Sequence, residues 1–210
     1  MTERQGIARL TRVVTPTTSS GMMPPLKSPA GTRTNNHRGL IPQTGIAKLT
    51  PKAPVVDQAA KELRMVMGRF ATGVTVISTS HRNTIHGMTA NAFLSVSLRP
   101  PLVLVSLGRC RMGEMLPRTK RYGVSVLAND QQDLAAHFAA QKTAPTPPQF
   151  TEHNGVPLLA GALAHLVCRV VDVHTAGDHE LWIGEVEHLY ERDGEPLLFY
   201  TGRFGTVRLV

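Results

Sequence analysis

The segment Gly87–Pro101, GMTANAFLSVSLRPP, alternates small polar side chains with apolar ones and then ends on two prolines. Thr89, Asn91, Ser95 and Ser97 form the polar set, and Ala90, Phe93 and Val96 the apolar set. Such alternation suits a strand with one face on a core and the other toward a polar ligand. Pro100 and Pro101 cannot donate ladder hydrogen bonds and fix their own φ. This predicts an extended connection into the apolar run Leu102-Val103-Leu104-Val105. Short side chains and open backbone amides here would let a flat, phosphate-bearing molecule approach closely.

The rest of the chain reads mainly as short strands. Asp57 is positioned to cap a helix over 58–69, with Leu63, Val66, Met67 and Phe70 facing the core. The β-branched run 74–79 predicts a strand, His81-Arg82-Asn83 a turn, and 85–96 a second strand with a polar bend at Thr89–Ala92. Further strands are expected at 102–107 and 122–127, with a loop or short helix over 109–117 between them. Asn129-Asp130 can cap a helix over 131–141, carrying Leu134, His137 and Phe138 on one face. After a Pro-rich loop at 143–148, two long strands (160–175 and 179–191) meet at the turn Ala176-Gly177-Asp178. Strands at 196–201 and 205–209 close the chain. Many strands, two or three helices and no strand–helix alternation predict a mainly β, antiparallel barrel. There is no internal repeat and no GxGxxG fingerprint.

Charge separates two regions. Residues 1–56 hold eight Lys or Arg and one acidic residue, Glu3, while residues 57–210 carry a net charge of only +1. The first region is rich in Pro, Thr and Ser and poor in aromatics. It is expected to be a disordered basic arm, with the folded domain spanning 57–210. Basicity confined to an arm argues against a nucleic-acid-binding domain. No apolar run reaches the length of a membrane span and no secretory segment is evident, so a cytoplasmic protein is expected. Cys110 and Cys168 lack CxxC spacing, and the histidines show no ligand-type clustering, so neither a disulfide framework nor a metal site is expected.

Four pieces carry a resemblance: GMTANAFLSVSLRPPLVLVSL, FATGVTVIST (Phe70–Thr79), GDHELWIGEVEHL (Gly177–Leu189) and PLLFYTGRFG (Pro196–Gly205). In this order and spacing they resemble the short-chain flavin reductases, the reductase components of two-component flavin monooxygenases. The resemblance runs from about Leu63 to the C-terminus. It implies an FMN-binding split barrel, a homodimer with flavin near the subunit interface, and hydride transfer from NADH or NADPH to FMN or FAD. It also implies a separate monooxygenase that takes up the reduced flavin. Two other readings stay open: a split-barrel protein that holds flavin tightly or without catalysis, and a basic-armed interaction module. In hydride transfer the cofactors supply the reactive atoms, so the absence of a nucleophile or metal motif is compatible with it.

Several residues are candidates for the site. His86, Gly87, Met88, Thr89, Ala90, Asn91 and Ala92 are expected to touch flavin through backbone groups and short side chains; the competing reading is plain turn satisfaction. Ser106, Leu107, Gly108, Arg109, Arg111 and Gly113 follow the buried strand, where relatives hold the ribityl and phosphate groups. Here two arginines stand where relatives carry hydroxyls. His137 and Phe138 match helix positions that touch flavin in relatives, although Phe138, on the apolar face with Leu134, reads more readily as core than as ligand. His179 of Gly-Asp-His is implied to lie beside the nicotinamide and is the candidate catalytic residue. Tyr200, Gly202 and Arg203 are implied to lie on the nicotinamide side.

Overall fold

The computed structural model describes residues 53–207, with side chains from Gln58 onward. Helix α1 (Ala53–Met67) precedes strands β1 (Thr72–Gly73), β2 (Thr75–His81), β3 (Thr84–Ala90), β4 (Phe93–Leu98) and β5 (Pro101–Gly108). Helix α2 (Arg111–Thr119) and β6 (Arg121–Val126) follow, then α3 (Gln132–Phe138) after a 3₁₀ turn at Asn129–Gln131. Strands β7 (Phe150–His153) and β8 (Val156–Leu159) lead to the long pair β9 (Ala164–Ala176) and β10 (His179–Glu191). Strands β11 (Leu198–Tyr200) and β12 (Arg203–Gly205) come last.

Seven strands form one antiparallel sheet in the order β3-β2-β6-β9-β10-β5-β4. Its two edge strands, β3 and β4, are consecutive in sequence and separated only by Asn91-Ala92. Two residues span well under 10 Å, so the sheet must curl until its edges meet. At this corner the β4–β5 ladder runs on by one rung, the Ser106 N–H donating to the Ala92 carbonyl at 3.0 Å. The expected antiparallel barrel is therefore present, closed by a corner of the chain rather than by a full ladder.

Alternation along β2 sends Ile77 and Val76 into different cores. Ile77 joins Val105, Leu107, Met112, Leu116, Tyr122 and Trp182 inside the barrel, beneath α2. Val76 joins Val74, Leu127, Ala135, Leu159 and Leu197 outside it, under α3, β8 and the β11–β12 hairpin. Each large side chain so buried contributes on the order of 1.5–3 kcal/mol. Burial in the barrel also pushes the Cys168 thiol up to about 12, consistent with a thiol that packs rather than reacts.

The structure departs from the expectations in four places. Helix α1 begins at Ala53, so residues 53–56 are helical, not part of an arm, and Asp57 lies inside the helix rather than at its cap. The rest of the expected arm, residues 1–52, lies outside the described residues. The α1 stripe does not face the core: Leu63 (62%), Val66 (68%), Met67 (57%) and Phe70 (69%) are exposed. Helical spacing creates an apolar stripe, but what covers it is a tertiary matter. The proline pair does not extend the chain. Leu98 pairs with Pro101, and Arg99-Pro100, joined by a cis peptide, turns β4 back onto β5. Finally, the β7–β8 hairpin was not expected. Its turn, Asn154-Gly155 (φ 51° and 77°), is the dipeptide most suited to a type I′ turn. Arg82-Asn83 and Thr201-Gly202 make turns of the same hand.

The crossing of β8 over β6 depends on Gly123, where a Cβ would lie 2.7 Å from both the Pro157 carbonyl oxygen and Leu158 Cδ2. Gly123→Ala should lower unfolding free energy by about 1–3 kcal/mol in urea titrations. Gly73→Ala, whose Cβ meets nothing within 4 Å, should cost much less. Equal losses would refute the crossing.

Candidate active site

Four elements converge at one mouth of the barrel: β3, the end of β5, the start of α2 and the start of β10. The antiparallel ladder sets His179 opposite Gly108. With no side chain on Gly108, the imidazole lies over the strand, its Nε2 3.5 Å from where a Cβ would stand. The Nδ1 of His179 and the Asp178 Oδ1 are 2.8 Å apart. That hydrogen bond is the main reason the Asp178 carboxyl is held below the usual carboxylate range, with lesser help from its own backbone and from Arg64 of α1. With Nδ1–H donated to Asp178, Nε2 is left to face a ligand over Gly108.

The next residue, Glu180, points to the opposite face of β10, and its Oε2 would be 3.3 Å from a Cβ on Gly113. This brings a carboxylate to the first turn of α2, a neighbour that the sequence reading missed. Met88 Sδ and Cys110 Sγ lie 3.7 Å apart and tie β3 to the residue preceding α2. His86 lies near Arg111. Partial burial first, and the Arg111 charge second, hold its imidazole below the usual histidine value. Arg109 and Arg111 are exposed, as are Asn91 and Ala92 at the corner. The early N–H groups of α2 beside Arg111 have the polarity that suits a phosphate.

Other candidates have structural partners. Alternation along β3 sends Gly87 and Thr89 away from α2 and under α3. A Cβ on Gly87 would lie 2.7 Å from the Phe138 ring, and the Thr89 hydroxyl donates to the Ala135 carbonyl at 2.7 Å. Phe138 packs on the outer core. The His137 Nδ1 accepts the Ala144 N–H at 3.2 Å, which holds the loop after α3. Ala90 and Leu107 are buried in the barrel interior. The backbone of Ser106 is engaged by Ala92. Tyr200, Gly202 and Arg203 stand on the β11–β12 hairpin in a separate three-stranded sheet with β1. That hairpin is held to α1 by the Thr201 N–H donating to the Gly68 carbonyl at 2.8 Å. Gly68 lies one turn beyond Arg64, the residue whose charge reaches Asp178.

Residues 67–208 match the family model described as the flavin reductase like domain. The chain belongs to this family. A relative in a Rhodococcus species, described as an NADH-dependent flavin reductase, is 51% identical over 152 residues, covering 70% of this chain and 86% of the relative. Among solved structures, the flavin reductase PheA2 is similar at 46% identity and a TM-score of 0.69, over 71% of this chain and 98% of that one. The styrene monooxygenase flavin reductase from Pseudomonas putida S12 shares 38% identity at a TM-score of 0.67, over 70% of this chain and 98% of its own. The split barrel is thus the fold of solved flavin reductases, as the sequence resemblance implied.

The His86–Arg111 contact makes a titration prediction. A folded value below 6.5 means the folded protein binds fewer protons there than the unfolded chain. The stability held at neutral pH should then fall as pH drops below about 6.5 toward the folded value. By NMR, His86 should titrate below 6.5, and Arg111→Ala should move it upward only part of the way, because burial is the larger cause. A His86 titration unaffected by Arg111→Ala would show that the two are not neighbours.

Proposed function

We propose that this protein is an NAD(P)H-dependent flavin reductase that passes reduced FMN or FAD to a separate monooxygenase. The observation that carries this reading is His179, held by Asp178 over side-chain-free Gly108 beside the first turn of α2, in a chain of the flavin reductase family. Its similarity to an NADH-dependent flavin reductase and to the flavin reductase of styrene monooxygenase supports the cofactor pair and the separate partner.

The residues present fit a flavin. Gly108 leaves room for the His179 imidazole over β5, and Arg111 with the α2 amides offers donors for a phosphate. Bound flavin would supply the two-electron acceptor for the nicotinamide. Asn91, Ala92, Ser106, Gly108, Arg109, Arg111 and Gly113 would then form the flavin contacts, with His86 beside them. Gly87, Thr89, His137 and Phe138 act as positioning residues, because their contacts fix α3 against β3. His179 would orient the nicotinamide, its Nε2 accepting from a carboxamide N–H. Tyr200, Gly202 and Arg203 approach from the hairpin that α1 carries.

The protein acts as a homodimer in this reading. Exposed Leu63, Val66 and Phe70, together with Leu94, Val96 and Leu98 of β4, supply apolar surface for a second copy. Among the described residues, no helix is long and apolar enough to cross a membrane. The working compartment is taken to be the cytoplasm.

Oxidation of NADH or NADPH should rise well above background when FMN, FAD or riboflavin is added; background rates with all three would overturn the reading. His179→Ala should raise KM for the nicotinamide more than it weakens flavin binding, and Asn91→Ala should weaken flavin binding by about 1 kcal/mol. Dialysis should leave the protein colourless, as an exported flavin bound at about micromolar strength requires. A colour that persists would favour a resident flavin instead. Light scattering should return a dimer, and removal of residues 1–52 should leave turnover intact.

A further inference from the structure

A second polar cavity, of about 410 Å³, lies at the far end of β10 between the β7–β8 hairpin and the strand ends. His188 stands nine residues along β10 from His179, so about 30 Å of extended strand separates it from the candidate active site. One nicotinamide or flavin molecule cannot reach both places within a subunit.

The cavity gathers three imidazoles from three strands. The rings of His153 on β7 and His188 on β10 stack with centroids 3.6 Å apart and planes 12° apart. His165 on β9 stacks beside Tyr190 at 5.7 Å, and its Nε2 meets the Leu159 carbonyl at 2.8 Å. Arg192 is fixed by donating from Nε to the Ala162 carbonyl at 3.1 Å and from its terminal nitrogens to the Gly161 and Asp193 carbonyls. These side chains all line the cavity together with Thr151, and the single lining carboxylate is Glu152.

We propose that this cavity is a second binding site, for the phosphate group of a small molecule, and that the phosphate enters together with a proton taken up by the His153–His188 pair. Two imidazolium ions at stacking distance would repel each other, and His165 and Arg192 add to the same field. Burial, then His153, then His165 accordingly hold His188 below its usual value. Burial lowers His165 as well, and the Arg192 charge adds to this, against the hydrogen bond to Leu159. Burial and the neighbouring imidazoles therefore favour the neutral form of His188 while no anion is bound. An oxyanion reverses the balance, because it turns like-charge repulsion into charge-assisted hydrogen bonds. Donors from His153 on β7 and from His188 and Tyr190 on β10 approach from two strands beside Arg192, while the Thr151 hydroxyl is engaged by donating to the Leu158 carbonyl at 3.3 Å. Glu152 opposes the anion, and its charge limits affinity.

The test is an NMR titration of the imidazole resonances of the full-length protein with inorganic phosphate. Sulfate, which keeps its charge near neutral pH, serves to read the pH dependence, and chloride at equal ionic strength is the control. Saturable shifts confined to His153, His165 and His188 are expected, with affinity for sulfate falling by up to tenfold per pH unit above the folded His value for one linked proton. His188→Gln should abolish the shifts and leave flavin-dependent NADH oxidation unchanged. If that variant does not fold, His153→Gln on the hairpin reads the same loss. Tighter binding of 5′-AMP than of phosphate at these resonances would identify an organic phosphate as the ligand, and equal binding the free ion; either supports the site. No saturable shift at millimolar phosphate, an equal response to chloride, or shifts that survive in a folded Gln variant would overturn it.

Discussion

Closure of the seven-stranded sheet at Asn91-Ala92 is the constraint on which the rest of the molecule depends. Two residues must carry the chain from one sheet edge to the other, and the hydrogen bond from Ser106 to Ala92 extends the β4–β5 ladder up to that corner. If the edges stayed apart, Val105, Leu107 and Trp182 would face water instead of one another. No ladder pairs β3 with β4 or β5, so the two edges are joined through the corner alone. A mouth lined by strand ends and one helix start is a natural place for a ligand that must approach backbone.

The long hairpin β9–β10 gives the barrel two well-separated ends. Both strands run thirteen residues, so the side chains at their opposite tips belong to different environments. The Asp178–His179 tip is exposed and polar, and it lies over Gly108. At the other end His188 stacks on His153 of the β7–β8 hairpin, while Leu189 and Tyr190 stay exposed. Rigid strand pairing keeps these ends apart, so chemistry at one leaves the geometry of the other unaltered. The ion pairs Arg121–Glu187 and Arg169–Glu185 lie across the face of the same strands. Their exposure to water leaves each worth about 1 kcal/mol or less.

Much of the barrel was legible in the chain. The β-branched runs, the Gly177-Asp178 turn and the positive-φ pair Arg82-Asn83 are local signals, and the structure keeps all of them. The β7–β8 hairpin was missed although Asn154-Gly155 is a strong turn signal, because Pro157 and the polar β7 masked both strands. The proline pair misled for a related reason: it restricts φ and removes donors, but it does not choose between a spacer and a turn. In the site, the Gly-Asp-His run announced His179. The contacts of Glu180 with Gly113 and of His86 with Arg111 join residues far apart in the chain, and no local pattern encodes them.

By itself, the sequence determined the alternation that makes strands, the turns that pair them, and the residue types available for chemistry. It also determined the family, since order and spacing of motifs are properties of the chain alone. Tertiary structure decided which face of each strand is a site. Thr89, polar and well placed in sequence, turns under α3 and donates to Ala135. A one-residue step along β3 reverses the direction of a side chain, and only the packing of α2 on one side and α3 on the other determines which direction is functional.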